Sequence, residues 1–212
     1  MKIGVLAVQG AFIEHEHMIE EIGHTAIEIR QRDDLEGLDG LILPGGESTV
    51  QGQLLNKLDM MKDIKNMISN GLPTLATCAG LILLSEHIAD DDIVHIGTLP
   101  VTIKRNAYGR QLSSFVTNAD IKHIGNYPMT FIRAPYIENV SDGVEVLASV
   151  DNHIVAAKYN NQIGLSFHPE LTGHTHTRIF LINYKIALFK NKNQDNAAEY
   201  ATLYCPDFIM LI

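Results

Sequence analysis

The chain is short of cysteine, of clustered positive charge and of long apolar runs, and each shortage closes off a class of protein. Only two cysteines occur among 212 residues, Cys78 and Cys205. A disulfide framework is therefore not expected, and a reducing, cytoplasmic setting fits. The formal net charge is -9 and no dense Lys/Arg block is present. That argues against a nucleic-acid or anionic-membrane surface. No apolar stretch approaches the roughly 20 residues that span a bilayer. "MKIGVLAVQG" at the start reads as a strand, without the apolar core and cleavage site of a signal peptide. Neither a G-x-G-x-x-G nor a Walker A loop occurs, and no internal repeat is found.

What is present is an ordinary globular composition, 46% hydrophobic, enough for a real core. The first half alternates strand and helix patterns. "KIGVLAVQG", "TAIEIR", "LDGLILPGG" and "PTLATC" read as strands. "AFIEHEHMIEEIG" reads as a helix stopped by Gly23. Residues 48 to 69 read as one helix on the recurrence of Leu54, Leu58, Met61, Ile64 and Ile68, with Ser48 as its N-cap. "AGLILLSEHI" reads as another helix. This rhythm implies parallel strands joined by crossover helices. The second half holds short strands at hairpin-like spacing, "PVTIKRNAYGRQ", "SSFVT", "TFIRAPYI", "VEVLASV", "HIVAAKYN" and "QIGLSFHPEL". A last helix is expected in "RIFLINYKIALFK". The texture changes near residue 192. Residues 1–192 are read as one domain and 193–212 as an extension outside it.

Cys78 stands where one apolar run ends and the next begins, "PTLATCAGLILL". A strand that ends at a nucleophile and turns at once into a helix needs small residues two before and two after it. Ala76 and Gly80 supply them. Helix amides aimed at the sulfur favour a thiolate, and the amide of Ala79 would point at a developing oxyanion. The plain alternative is a buried cysteine packing as a small hydrophobe.

A nucleophilic thiol needs a base. Among ten histidines, His15, His17 and His24 lie on or beside an acidic helix and read as surface residues. His174 and His176 offer either a metal site or two exposed side chains. His168 closes the strand "QIGLSF" and precedes Glu170 by two positions. In extended geometry the two share a face, so the carboxylate can orient the imidazole. The alternative is a strand-end loop with solvated charges. Gly45 and Gly46 close "LILPGG", either letting a backbone amide approach a ligand or forming an ordinary turn. Arg105 and Arg133 stand at strand ends, as carboxylate clamps or as surface charges.

Taken together, "LILPGGEST", "TCAGLILL", "RNAYGRQ" with "FIRAP", and "SFHPELT" resemble the class I, triad-type glutamine amidotransferases. More narrowly they resemble the glutaminase subunits of pyridoxal 5'-phosphate synthases, as does the opening "GVLAVQGAFIEH". The resemblance spans residues 1 to about 190. It implies an α/β fold of three layers, αβα, with a mostly parallel central sheet and added antiparallel strands. It implies a triad of Cys78, His168 and Glu170 and an oxyanion hole of the Gly46 and Ala79 amides. It implies L-glutamine held by Gly46, Glu47, Ser48, Arg105, Ile132 and Arg133. It also implies no metal or organic cofactor, and a synthase partner with a (β/α)8 barrel that takes up the ammonia. Ala76 replaces the usual glycine and Tyr108 a usual phenylalanine, and residues 193–212 have no counterpart. The alternatives are the glutaminase subunit of another amidotransferase, such as that of histidine biosynthesis, a catalytically impaired interaction protein, or a cysteine hydrolase acting on peptides or esters.

Overall fold

A computed structural model describes residues 1–89, 91–105 and 114–172. The expected helix at 178–190, the extension at 193–212, Tyr108, His174, His176 and Cys205 lie outside the described residues.

The first half follows the alternation read from the sequence. Strand β1 (Lys2–Leu6) leads to helix α1 (Phe12–Glu21), then β2 (Thr25–Ile29) and β3 (Gly40–Leu43). Residues 48–69 form two helices rather than one, α2 (Ser48–Lys57) and α3 (Met61–Ser69). The break falls at Asp59, whose φ is 54, a left-handed conformation that ends a helix. The apolar spacing runs across it because both helices pack on the same core. Ser48 is the first helical residue. Glu47 holds the N-cap position, and its side chain makes no capping bond. Strand β4 (Thr74–Thr77) and helix α4 (Ala79–Leu84) follow. The helix expected through "AGLILLSEHI" stops after Leu84. Residues Ser85–Ile88 form strand β5, paired parallel to β6 (Leu99–Lys104).

The second half is built from β7 (Ser114–Ile121), β8 (Gly125–Ile132), β9 (Tyr136–Val140), β10 (Glu145–Val150), β11 (His153–Tyr159) and β12 (Gln162–Leu165). "TFIRAPYI" is divided between β8 and β9, because Arg133 adopts φ 44 and turns the chain. β7 and β8 form a separate antiparallel hairpin.

The main sheet runs β2-β1-β3-β4-β12-β11-β9-β6-β5, with β10 on β11. Pairings from β2 to β12 are parallel, whereas β12, β11, β9 and β6 pair antiparallel. Alternate residues of the parallel strands enter opposite cores, as the two-residue period of a strand requires. Leu6, Leu41, Leu43 and Ala76 pack with Leu55, Ile64, Ile68 and Leu81 from α2, α3 and α4. Val5, Ile42 and Leu75 pack with Met18 and Ile19 of α1 and with Tyr127, Met129 and Phe131 of the hairpin. Both faces of the sheet are thus covered, the second partly by a hairpin. Parallel β1, β3, β4 and β12 end on one edge, which is where open α/β sheets hold ligands. Among the described residues no helix is long and apolar enough to cross a membrane.

Candidate active site

Cys78 occupies the tight turn between β4 and α4, at φ 49 and ψ −103. Few non-glycine residues adopt such a conformation, and holding one costs of order 1–3 kcal/mol. The surroundings impose it. The Cys78 amide donates to the Leu165 carbonyl of β12 at 2.8 Å, and α4 begins at the next residue. A Cβ at Gly80 would lie 2.0 Å from the Leu43 carbonyl oxygen, so only glycine fits two positions after the cysteine. Ala76, two before it, is fully buried and pairs with Leu43 and Gly164. Cys78 is 8% exposed, and its thiol faces the Ile132 carbonyl at 3.8 Å.

His168 comes from the neighbouring strand end. β12 runs parallel to β4 with Leu165 opposite Thr77, which sets the segments after both strands side by side. The His168 amide donates to the Thr130 carbonyl of β8 at 2.9 Å. Its Nδ1 lies 2.7 Å from Glu170 Oε1. The carboxylate reaches the ring through a 3-10 turn, Pro169–Leu171, not along an extended strand. The contact expected from the spacing is made; the local geometry is corrected. Nδ1 is committed to Glu170, so Nε2 is the nitrogen left to serve the thiol. Burial acts to lower the pKa of His168, but hydrogen bonds to Cys78 and Glu170, with the charges of both, raise it from 6.5 to about 10. Glu170 is pushed up by burial, yet His15 and His168 together draw it down from 4.5 to about 2. The imidazolium and carboxylate forms are therefore both favoured.

A cavity of about 460 Å³ opens over this pair, a size suited to a small metabolite. Gly46, Glu47, Ser48, Cys78, Ala79, Arg105, Ile132, Arg133 and His168 all line it. Every residue that the resemblance assigns to the site thus borders one space except Glu170, which lies behind the imidazole. The loop after β3 is pinned from below. The Gly45 carbonyl accepts from the Ala11 amide at 3.1 Å. The Glu47 amide donates to Gln9 Oε1 at 2.9 Å, and Gln51 Nε2 donates to the Gln9 and Pro44 carbonyls. Gly45 abuts the His168 imidazole, since a Cβ there would lie 2.4 Å from its Cε1. The two arginines differ. Arg105 Nη1 donates to Asp91 Oδ2 at 3.0 Å, while its buried Nε and Nη2 have no partner among the described residues. Buried guanidinium donors left open beside a cavity suit a carboxylate. Arg133 pairs loosely with Glu47 at 3.4 Å, and both side chains are exposed.

The sequence model of the SNO glutamine amidotransferase family matches residues 5–186. The chain belongs to that family. It is 59% identical, over 82% of its length and 87% of the relative's, to the pyridoxal 5'-phosphate synthase subunit PdxT of Desulfitobacterium hafniense (strain Y51). It is 50% identical to the protein of that name from Streptococcus pneumoniae (strain CGSP14), over 92% of this chain and all of the relative. A crystal structure of a glutamine amidotransferase superposes with a TM-score of 0.81 at 37% identity, covering 88% of this chain and 97% of that one.

Within this amidotransferase the sequence reading missed His15, expected on the surface. It is fully buried, with Nε2 3.4 Å from Glu170 Oε1. The signal was its helical spacing from Phe12 and Ile19, which places it on the apolar stripe of α1. Gln9 and Gln51 were also passed over, and "VQG" gave no chemical pattern to flag them. Among the described residues no group of three His, Cys, Asp or Glu side chains is placed to hold a metal ion.

Proposed function

We propose that this chain hydrolyses L-glutamine to glutamate and ammonia as the glutaminase subunit of a pyridoxal 5'-phosphate synthase, with Cys78, His168 and Glu170 as its triad. The observation that carries the reading is the thiol at a forced positive-φ turn, beside an imidazole already held by a buried carboxylate. His168 takes the thiol proton, and Cys78 Sγ attacks the side-chain amide carbon of glutamine. The amides of Gly46 and Ala79 hold the oxyanion, a donor pair of which each member is worth about 3–4 kcal/mol. The tetrahedral intermediate collapses to a thioester as His168 returns its proton to the departing ammonia. The same imidazole then activates water, which releases glutamate and restores the thiol.

Arg105 binds the substrate's α-carboxylate through its open donors. Glu47, Ser48, Ile132 and Arg133 shape the rest of the pocket. Ammonia passes to a (β/α)8-barrel synthase partner in the cytoplasm. Relatives at 50–59% identity named as pyridoxal 5'-phosphate synthase subunits support the choice of synthase.

The test is to mix the chain with candidate synthase barrels and follow glutamate and ammonia. Release stimulated by the pyridoxal 5'-phosphate synthase barrel is expected. Stimulation by a different amidotransferase's synthase would reassign the partner, and no hydrolysis with any of them would contradict the enzyme.

A further inference from the structure

His15 has no part in the mechanism above, yet it is wholly buried against it. Its Nε2 lies 3.4 Å from Glu170 Oε1 and 3.3 Å from Thr77 Oγ1, the residue before Cys78. It does not line the cavity. Nδ1 is buried without a hydrogen-bond partner among the described residues. A proton placed there would be an orphaned donor, which is costly in a buried site. The neutral ring therefore carries its proton on Nε2, the nitrogen that faces both Thr77 Oγ1 and the carboxylate.

Glu170 is otherwise thinly held. Oε1 faces both His168 Nδ1 at 2.7 Å and His15 Nε2, and Oε2 is buried without a partner among the described residues. The side chain has no exposed surface. Among the described residues, the titratable groups that face it are His15 from α1, His168 from its own turn, and Cys78 beyond that ring. From β8, Tyr127 approaches the same turn, with its hydroxyl 2.9 Å from Thr172 Oγ1. His15 is thus the one donor from outside the triad that reaches the carboxylate among the described residues. It also ties the turn carrying the acid to the strand carrying the nucleophile.

We infer that His15 is a positioning residue of the glutaminase: by donating from Nε2 to Glu170 it keeps that carboxylate ionised and aimed at His168. The inference rests on the triad reading. Burial pushes the Glu170 carboxyl up, and its contacts with His15 and His168 draw it down. Without His15, burial raises the carboxyl less opposed, and the group takes a proton at higher pH. A protonated Glu170 no longer supports the imidazolium.

The test compares His15→Leu, which keeps bulk and loses the donor, with His15→Gln, whose amide nitrogen stands near the Nε2 position. Each full-length variant is assayed with the synthase partner for kcat and KM across pH, beside its melting temperature. The Leu variant should lose roughly ten- to a hundredfold in kcat, the range for a hydrogen bond to a charged group. Its KM should stay within about twofold, since His15 does not touch substrate. The acid-side fall in kcat should move to higher pH. The Gln variant should recover most of the rate and the native acid limb. Unchanged kcat and acid limb in the Leu variant overturn the inference. So does a folded Gln variant as impaired as Leu, which would mark a packing role; if Leu does not fold, His15→Met, which also keeps bulk and lacks the donor, takes its place in the comparison. Cys78→Ala runs in the same assay. If it still releases glutamate, the triad reading falls and this inference with it. If it is inactive while the His15 variants behave as native, only the inference falls.

Discussion

At the scale of single residues, the site is a chain of buried polar side chains in contact. Cys78, His168, Glu170 and His15 are all nearly or fully buried, so each depends on its neighbour to bear charge. The pH consequence has a definite sign. His168, raised from 6.5 to about 10, stabilises the fold fully below about 6.5 and loses that contribution as pH climbs toward 10. Glu170, lowered from 4.5 to about 2, contributes above about 4.5 and loses it as pH falls toward 2. Melting temperature should therefore be highest between those limits and decline on both sides. Glu170→Gln should flatten the acid-side decline and lower the titration midpoint of His168, as followed by NMR. An unmoved midpoint would show that the carboxylate does not hold the ring. Three of these four residues, Cys78, His168 and Glu170, were singled out from the sequence because they stand at or just beyond strand ends with readable spacing. His15 hid among the charges of an amphipathic helix, where a buried polar side chain looks like a surface one.

At the scale of elements, the site depends on two glycines that admit no side chain, Gly46 in the loop after β3 and Gly80 in the first turn of α4. A valine Cβ at position 46 would lie 2.5 Å from Gln9 Oε1 and 3.0 Å from Gln51 Nε2. Gly46→Val should cut kcat/KM at least tenfold, the loss of about 1.4 kcal/mol of transition-state binding, and shift the melting temperature far less. Equal losses of stability and activity would mean the loop serves the fold instead. Gly80→Ala is the opposite case. Its Cβ meets backbone at 2.0 Å, so the fold itself should weaken by about 1–3 kcal/mol, read from chemical denaturation. A variant as stable as the native chain would contradict the forced turn at Cys78. The element errors share one physical cause. Apolar periodicity reports which face is buried, and α2 and α3 bury the same face across the turn at Asp59. Likewise "SEHI" continues an apolar run but pairs with β6, and only long-range hydrogen bonds decide that.

At the scale of the whole molecule, alternating patterns in the first half foretold the parallel strands, and hairpin spacing in the second foretold the antiparallel ones. The joint between them, β12 beside β4, could not be read locally because its strands lie far apart in sequence. That joint is what brings His168 to Cys78. Residues 193–212 lie beyond the matched family segment, which ends at residue 186. Deleting them should leave the melting temperature nearly unchanged; a large drop would make them part of the domain. The central claim is that Cys78 is the nucleophile toward glutamine. The most direct measurement treats the assembled protein with the glutamine-like electrophile diazo-oxonorleucine and locates the adduct by peptide mass spectrometry. A single adduct on Cys78, absent from Cys78→Ala and suppressed by excess glutamine, is the expected result. Labelling of Cys205 alone, or no adduct while glutamate is still released, would contradict it.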